Sequence, residues 1–248
     1  MIDLCIWDHM LIFIIGVILP ALALWRGKNE QSLPLFSTQE KVQLYYTNSF
    51  ILLLAAGMIL LVWWHCGRSF QELGFEFLQP GRYALGIAAG ILLLYMIDVT
   101  VEVGIPSRLE KTRRRWRERT PFMPATRREF VHFLFLAGSA AVAEEIIFRG
   151  YFITYILSYL GESLNAQIIA IVVPAVVFAI VHLYQGRYAI VKILLLALPM
   201  GLIFLISRSL LLLFLLHFVI DVLGGLAGMY LIPATAADES ESETYQSE

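Results

Sequence analysis

Seven residues of this sequence have types and spacings suited to chemistry, and all seven lie in stretches that should be apolar. Glu144, Glu145 and Arg149 interrupt FLFLAGSAAVAEEIIFRGYFITY, Phe178 and His182 close the next apolar run, and His217 and Asp221 fall inside the last. An ionisable group at the centre of a membrane span costs about 2.5–3.5 kcal/mol even on the lenient insertion scale, so each needs a partner or a task. Helical spacing sorts them. Glu145 and Arg149 are four apart, on one face, with Glu N-terminal to Arg in the favoured order. His217 and Asp221 are also four apart. Glu144 points about 100° away from Glu145. The division that follows makes Glu145 and Arg149 an electrostatic brace, with Phe178 in support, and leaves Glu144 as the reactive carboxylate.

A carboxylate in a partly wet cavity, with histidines nearby to share protons, meets the requirements of a general base that activates water. His182 and His217 can polarise a scissile carbonyl, stabilise its oxyanion, or ligate a metal together with a carboxylate. The sequence does not choose among these roles. A metal would take Glu144, His182 and His217, with zinc as the candidate, yet neither a His-x-x-x-His pair nor a cysteine pair supplies closely spaced ligands. A site without a cofactor is the favoured reading.

The elements that must position these residues follow from composition. Of the 248 residues 59% are hydrophobic and 15% charged, and the mean hydropathy is +0.74, more apolar side chain than a water-soluble domain of this size could bury. Crossing a bilayer takes roughly 20 apolar helical residues. Runs of that kind occur at about Leu4–Trp25, Tyr46–Cys66, Ala84–Val103, Phe130–Leu157, Ala166–Leu183, Ala189–Ile206 and Leu210–Leu231. The expectation is an all-α, polytopic transmembrane helical bundle of about seven spans, with six to eight as the range. Three regions are expected: residues 1–129 with the N-terminal spans and a basic loop, a catalytic helical core over 130–231, and an acidic disordered tail over 232–248. The first run carries Asp3 and Asp8 and lacks a basic start, and is read as a retained span rather than a cleaved signal. Cys5 and Cys66 sit near the ends of separate spans without metal or redox spacing and are read as packing residues, with a disulfide as the lesser alternative.

Nine of the eighteen basic residues fall between Arg108 and Arg128. Short basic loops stay in the cytoplasm, which places this stretch inside. Alternation then puts Arg26, Lys28, Lys41, Arg187, Lys192 and the acidic tail on the same side. The basic stretch reads as a topology determinant against anionic headgroups rather than a nucleic-acid site. Asp98 and Glu102, in the third span, read as structural.

Taken together, Glu144-Glu145-x-x-x-Arg149, Phe178-x-x-x-His182 and His217-x-x-x-Asp221 resemble the motifs of the CPBP family of intramembrane proteases, which includes the type II CaaX prenyl endopeptidases and bacterial relatives linked to bacteriocin self-immunity. The resemblance covers about Phe130 to Leu231. It implies that Glu144 activates water with His182, that His217 and Asp221 help stabilise the oxyanion, and that Glu145 and Arg149 hold the site together. Asp221 stands where family members carry Asn or Asp, and an ionised Asp cannot donate a hydrogen bond. The implied protein is an intramembrane endopeptidase whose substrate is a membrane-associated or lipidated, CaaX-type peptide. Its partners would be that substrate and the lipid bilayer, with no nucleic acid, and its expected location is a bacterial plasma membrane. A proton-coupled transporter and a non-catalytic immunity or scaffold protein are the alternatives from other classes.

Overall fold

The computed structural model describes residues 2–27, 35–76 and 80–232. Lys28 and the acidic tail beyond Ile232 lie outside them. Eight helices account for nearly all the described chain, and seven are long and apolar enough to cross a membrane. They are α1 (Ile6–Gly27), α2 (Thr38–His65), α3 (Gly81–Gly104), α4 (Pro106–Arg119), α5 (Arg127–Leu160), α6 (Leu164–Val181), α7 (Arg187–Ser207) and α8 (Leu210–Leu231). All but α4 are spans. Helices keep most of the backbone hydrogen bonds of each span internal, as lipid requires, although Pro174 in α6 and Pro199 in α7 each lack an N–H to donate. The protein is an integral, multi-pass membrane protein.

Local chemistry sets where several helices begin. Ser37 caps α2 and exchanges bonds reciprocally with Glu40, so the helix starts eight residues before the apolar run does. Thr126 caps α5 through the Glu129 amide, and Ser163 caps α6 through the Ala166 amide. The stretch expected to be a basic loop is mostly helical: Pro106 occupies the first turn of α4, where its missing N–H is harmless, and an Arg114–Glu118 pair spans one turn.

The central helix is α5. Half of its apolar window is buried within the protein, against 11% for α1. It packs between α2 and α8, while α6 lies against α7. Residues Ile146–Ile153 of α5 form a wide π-helical segment that is buried throughout. Beside it the 3-10 turn Phe70–Leu73 folds back from the end of α2. Gly150 is required there, because a Cβ would sit 2.9 Å from the Leu73 carbonyl oxygen.

The helix ends sort into two faces. The start of α2 is tied to the start of α5 by a fully buried Glu129 carboxylate, which accepts from Lys41 Nζ (2.9 Å), Thr38 Oγ1 (2.8 Å) and the Ala125 amide (2.7 Å). The end of α3 meets α4 and the start of α7: Glu102 accepts from Arg115 (3.0 Å), Lys192 (2.9 Å) and the Tyr188 hydroxyl (2.9 Å), and Asp98 pairs with Lys192. Gly27, ending α1, abuts Leu183 beyond α6. The described basic residues assigned to one side by charge therefore share one face of the bundle. On the opposite face Arg68 pairs with the buried Asp8 of α1.

Candidate active site

The two glutamates stand at the midpoint of the 34-residue α5, immediately before the π-helical segment. The Glu145 side chain is wholly buried. Its Oε1 accepts from Arg149 Nη1 at 2.8 Å and from His217 Nδ1 at 2.7 Å, while its Oε2 has no hydrogen-bond partner among the described residues. Arg149 survives burial because its guanidinium also lies 4.8 Å over the Phe178 ring, and one Nη reaches the Met200 sulfur. Phe178 packs edge-on against Phe148 and touches the rings of His182 and His217, with centroids at 4.5 and 6.4 Å. It is the apolar spacer around which the three motifs meet.

The remaining groups are partly open. Glu144 and His217 have side chains 13% and 12% exposed, and Asp221 is 30% exposed. His217 Nε2 lies 3.7 Å from Glu144 Oε2 and 3.7 Å from Asp221 Oδ2. With Glu145 behind it, His217 stands among three carboxylates. Both histidine tautomers follow from their partners. His182 Nδ1 lies 2.7 Å from the Phe178 carbonyl oxygen, which can only accept, so Nδ1–H donates and Nε2 is left for the cavity. His217 Nδ1 likewise donates to the Glu145 carboxylate. A partner that fixes one nitrogen and orients the other is the usual support of a reactive or ligating histidine.

The structure brings Glu144, Glu145, Arg149, His217 and Asp221 into direct contact. His182 joins them through Phe178, and among the described residues no hydrogen bond links it to Glu144. It caps the end of α6, on the face that carries the basic helix α4. Among the described residues no three His, Cys, Asp or Glu side chains are grouped to hold a metal ion.

Two tyrosines escaped the sequence reading. Tyr184 stacks on His182 with the rings at 30° and 5.9 Å, and packs against Phe122. Half of Tyr184 is exposed, and desolvation at its packed side, together with the charges of Glu144 and Asp221, pushes its phenol up, so it stays an O–H donor throughout the physiological range. Tyr95 of α3 brings its hydroxyl against α8 at Gly224, one turn beyond Asp221. Tyr184 was signalled only by its position two residues after His182; for Tyr95 nothing in the sequence points across from α3 to α8.

Over residues 126–223 the chain is similar to a known family. These residues match the family model of type II CAAX prenyl endopeptidase Rce1-like proteins, a segment running from the cap of α5 into α8 and containing all seven motif residues. The resemblance drawn from the three motifs therefore holds over that segment, and at the level of the family it supports a CAAX-type intramembrane protease acting on a membrane-associated peptide. No curated protein matches the chain, and no solved structure does.

Proposed function

We propose that this Rce1-like protein is an intramembrane endopeptidase that hydrolyses a peptide bond near the C-terminus of a membrane-associated, CaaX-type substrate, with Glu144 activating the water. The observation that carries this reading is the meeting of Glu144 and His217 at 3.7 Å, at mid-span, with His217 held from behind by a fully buried Glu145. Glu144 takes a proton from water and the hydroxide oxygen adds to the scissile carbonyl. The electron pair displaced onto the carbonyl oxygen meets donors: protonated His217 at Nε2 and the Tyr184 hydroxyl. Collapse breaks the C–N bond, and the proton held by Glu144 leaves with the amine. His182, with Nε2 free, orients the water or the leaving group. Asp221 offsets the charge on His217, a role open to an ionised carboxylate.

The apolar walls of the bundle suit a lipidated substrate, since a prenyl chain partitions into the bilayer while the scissile bond reaches the polar centre. The basic face is taken as cytoplasmic by the positive-inside rule. The reading needs no metal, and stoichiometric zinc in the purified protein, with activity lost on its removal, would overturn that part. The test is to incubate the purified protein in proteoliposomes with a farnesylated CaaX peptide and with an unmodified membrane peptide. Cleavage confined to the prenylated peptide is expected. Cleavage of the unmodified peptide alone would remove the prenyl requirement, and a folded protein that cleaves neither would contradict the reading.

A further inference from the structure

Cys5 and Cys66 are 61 residues apart in sequence, yet their Sγ atoms lie 2.7 Å apart, within thiol hydrogen-bonding contact and closer than unbonded sulfurs ordinarily approach. We infer that these two cysteines are an oxidation site and form a disulfide that staples the start of α1 to the end of α2.

The backbone around them is already fixed for the bond. Cys5 caps α1, and its amide donates to Asp8 Oδ2 at 2.8 Å. Cys66 ends α2, after which Gly67 turns the chain at a φ of 67° and returns Arg68 to the same cluster. The guanidinium donates to Asp8 Oδ1 (2.9 Å) and to the Asp3 carbonyl (2.7 Å), and lies over the Trp63 ring. Tyr151 of α5 donates to Asp8 Oδ1 at 3.0 Å. An ion pair buried on both sides thus pins the two segments that carry the sulfurs, so closing the bond requires little rearrangement of either chain. Both thiols are partly exposed, which gives an oxidant access.

The compartment agrees. The cysteines lie at the start of α1 and the end of α2, the ends opposite those carrying Arg26 and Lys41. If the basic face is cytoplasmic, the sulfurs face the periplasm, an endoplasmic reticulum lumen or the cell exterior, and all of these oxidise thiols. Exchange with a disulfide oxidant balances the step: both cysteines lose a proton and together two electrons, one S–S bond forms, and the oxidant's disulfide is reduced to two thiols. A hydrogen bond from the Cys66 thiol to Cys5, with desolvation, pushes that thiol up, which suits a structural bond better than a reactive sensor.

The experiment blocks thiols with a maleimide in native membranes before any reductant is added, then reads the intact mass of the purified protein. No adduct before reduction and two after it are expected, and the melting temperature should fall by several degrees with reductant in the wild type but not in Cys66→Ser. Two adducts without reduction would overturn the inference. So would labelling of the reduced protein only from the cytoplasmic side of sealed vesicles. Neither readout depends on peptidase activity.

Discussion

Arg149→Met removes the cation of the brace and leaves a methionine to refill the space beside Phe178. The Glu145 carboxylate, fully buried, loses its 2.8 Å partner and keeps only His217 at 2.7 Å, with Oε2 already unpartnered. Breaking a buried pair from one side typically costs about 3–5 kcal/mol, because the other charge stays buried. Part of the lost guanidinium–ring attraction, about 0.5–2 kcal/mol, overlaps that figure rather than adding to it. Adding Glu145→Gln removes the buried charge that has lost its guanidinium, while an amide oxygen still accepts from His217 Nδ1–H. The double variant should therefore recover at least about 2 kcal/mol of the single variant's loss, a coupling within the range for contacting residues. Unfolding by denaturant titration in mixed micelles, with slopes compared across wild type, both singles and the double, measures this. A loss below about 1 kcal/mol for Arg149→Met, or losses in the two singles that simply add, would refute the brace.

Three further perturbations separate structure from chemistry. Lys41→Met strips the buried Glu129 of its cation far from the site and should cost about 3 kcal/mol in stability while turnover per folded molecule stays at the wild-type level. Tyr184→Phe should leave the melting temperature within a degree or two of wild type and lower kcat by a factor of about 10–100, because it removes one O–H donor beside His182; unchanged kinetics would exclude the hydroxyl from the reaction. Gly150→Ala places a methyl group against the Leu73 carbonyl oxygen at 2.9 Å, and overpacking of this kind should cost about 1–3 kcal/mol by thermal denaturation.

The spans were legible because lipid leaves a helix no alternative for its backbone polar groups; Leu210–Leu231 has the limits read from the sequence. Where limits differ, polar chemistry intervenes. The TQEKVQLY segment lies before the apolar run read from Tyr46, yet α2 includes it because Ser37 and Glu40 cap it and Lys41 is neutralised by Glu129, 88 residues away. The basic stretch looked like a loop because its apolar residues are few, but a proline start and arginine-rich helix formers make α4. The Glu145–Arg149 pair could be read from four-residue spacing. The shorter contact of His217 could not, since its partner at 2.7 Å is Glu145 on another helix and not Asp221 on its own. The π-helical segment was equally hidden: it accompanies the close approach of Gly150 to the 70–76 turn, which no periodicity records.

The proposed hydrolysis depends above all on Glu144 as the water-activating group. Glu144→Gln keeps the size and hydrogen-bonding capacity of the side chain but cannot take a proton, so the purified variant should melt with the wild type, bind the farnesylated peptide, and cleave it about 10²–10⁴-fold more slowly. Cleavage at the wild-type rate by a folded Glu144→Gln protein would contradict the central claim and move the base elsewhere in the site.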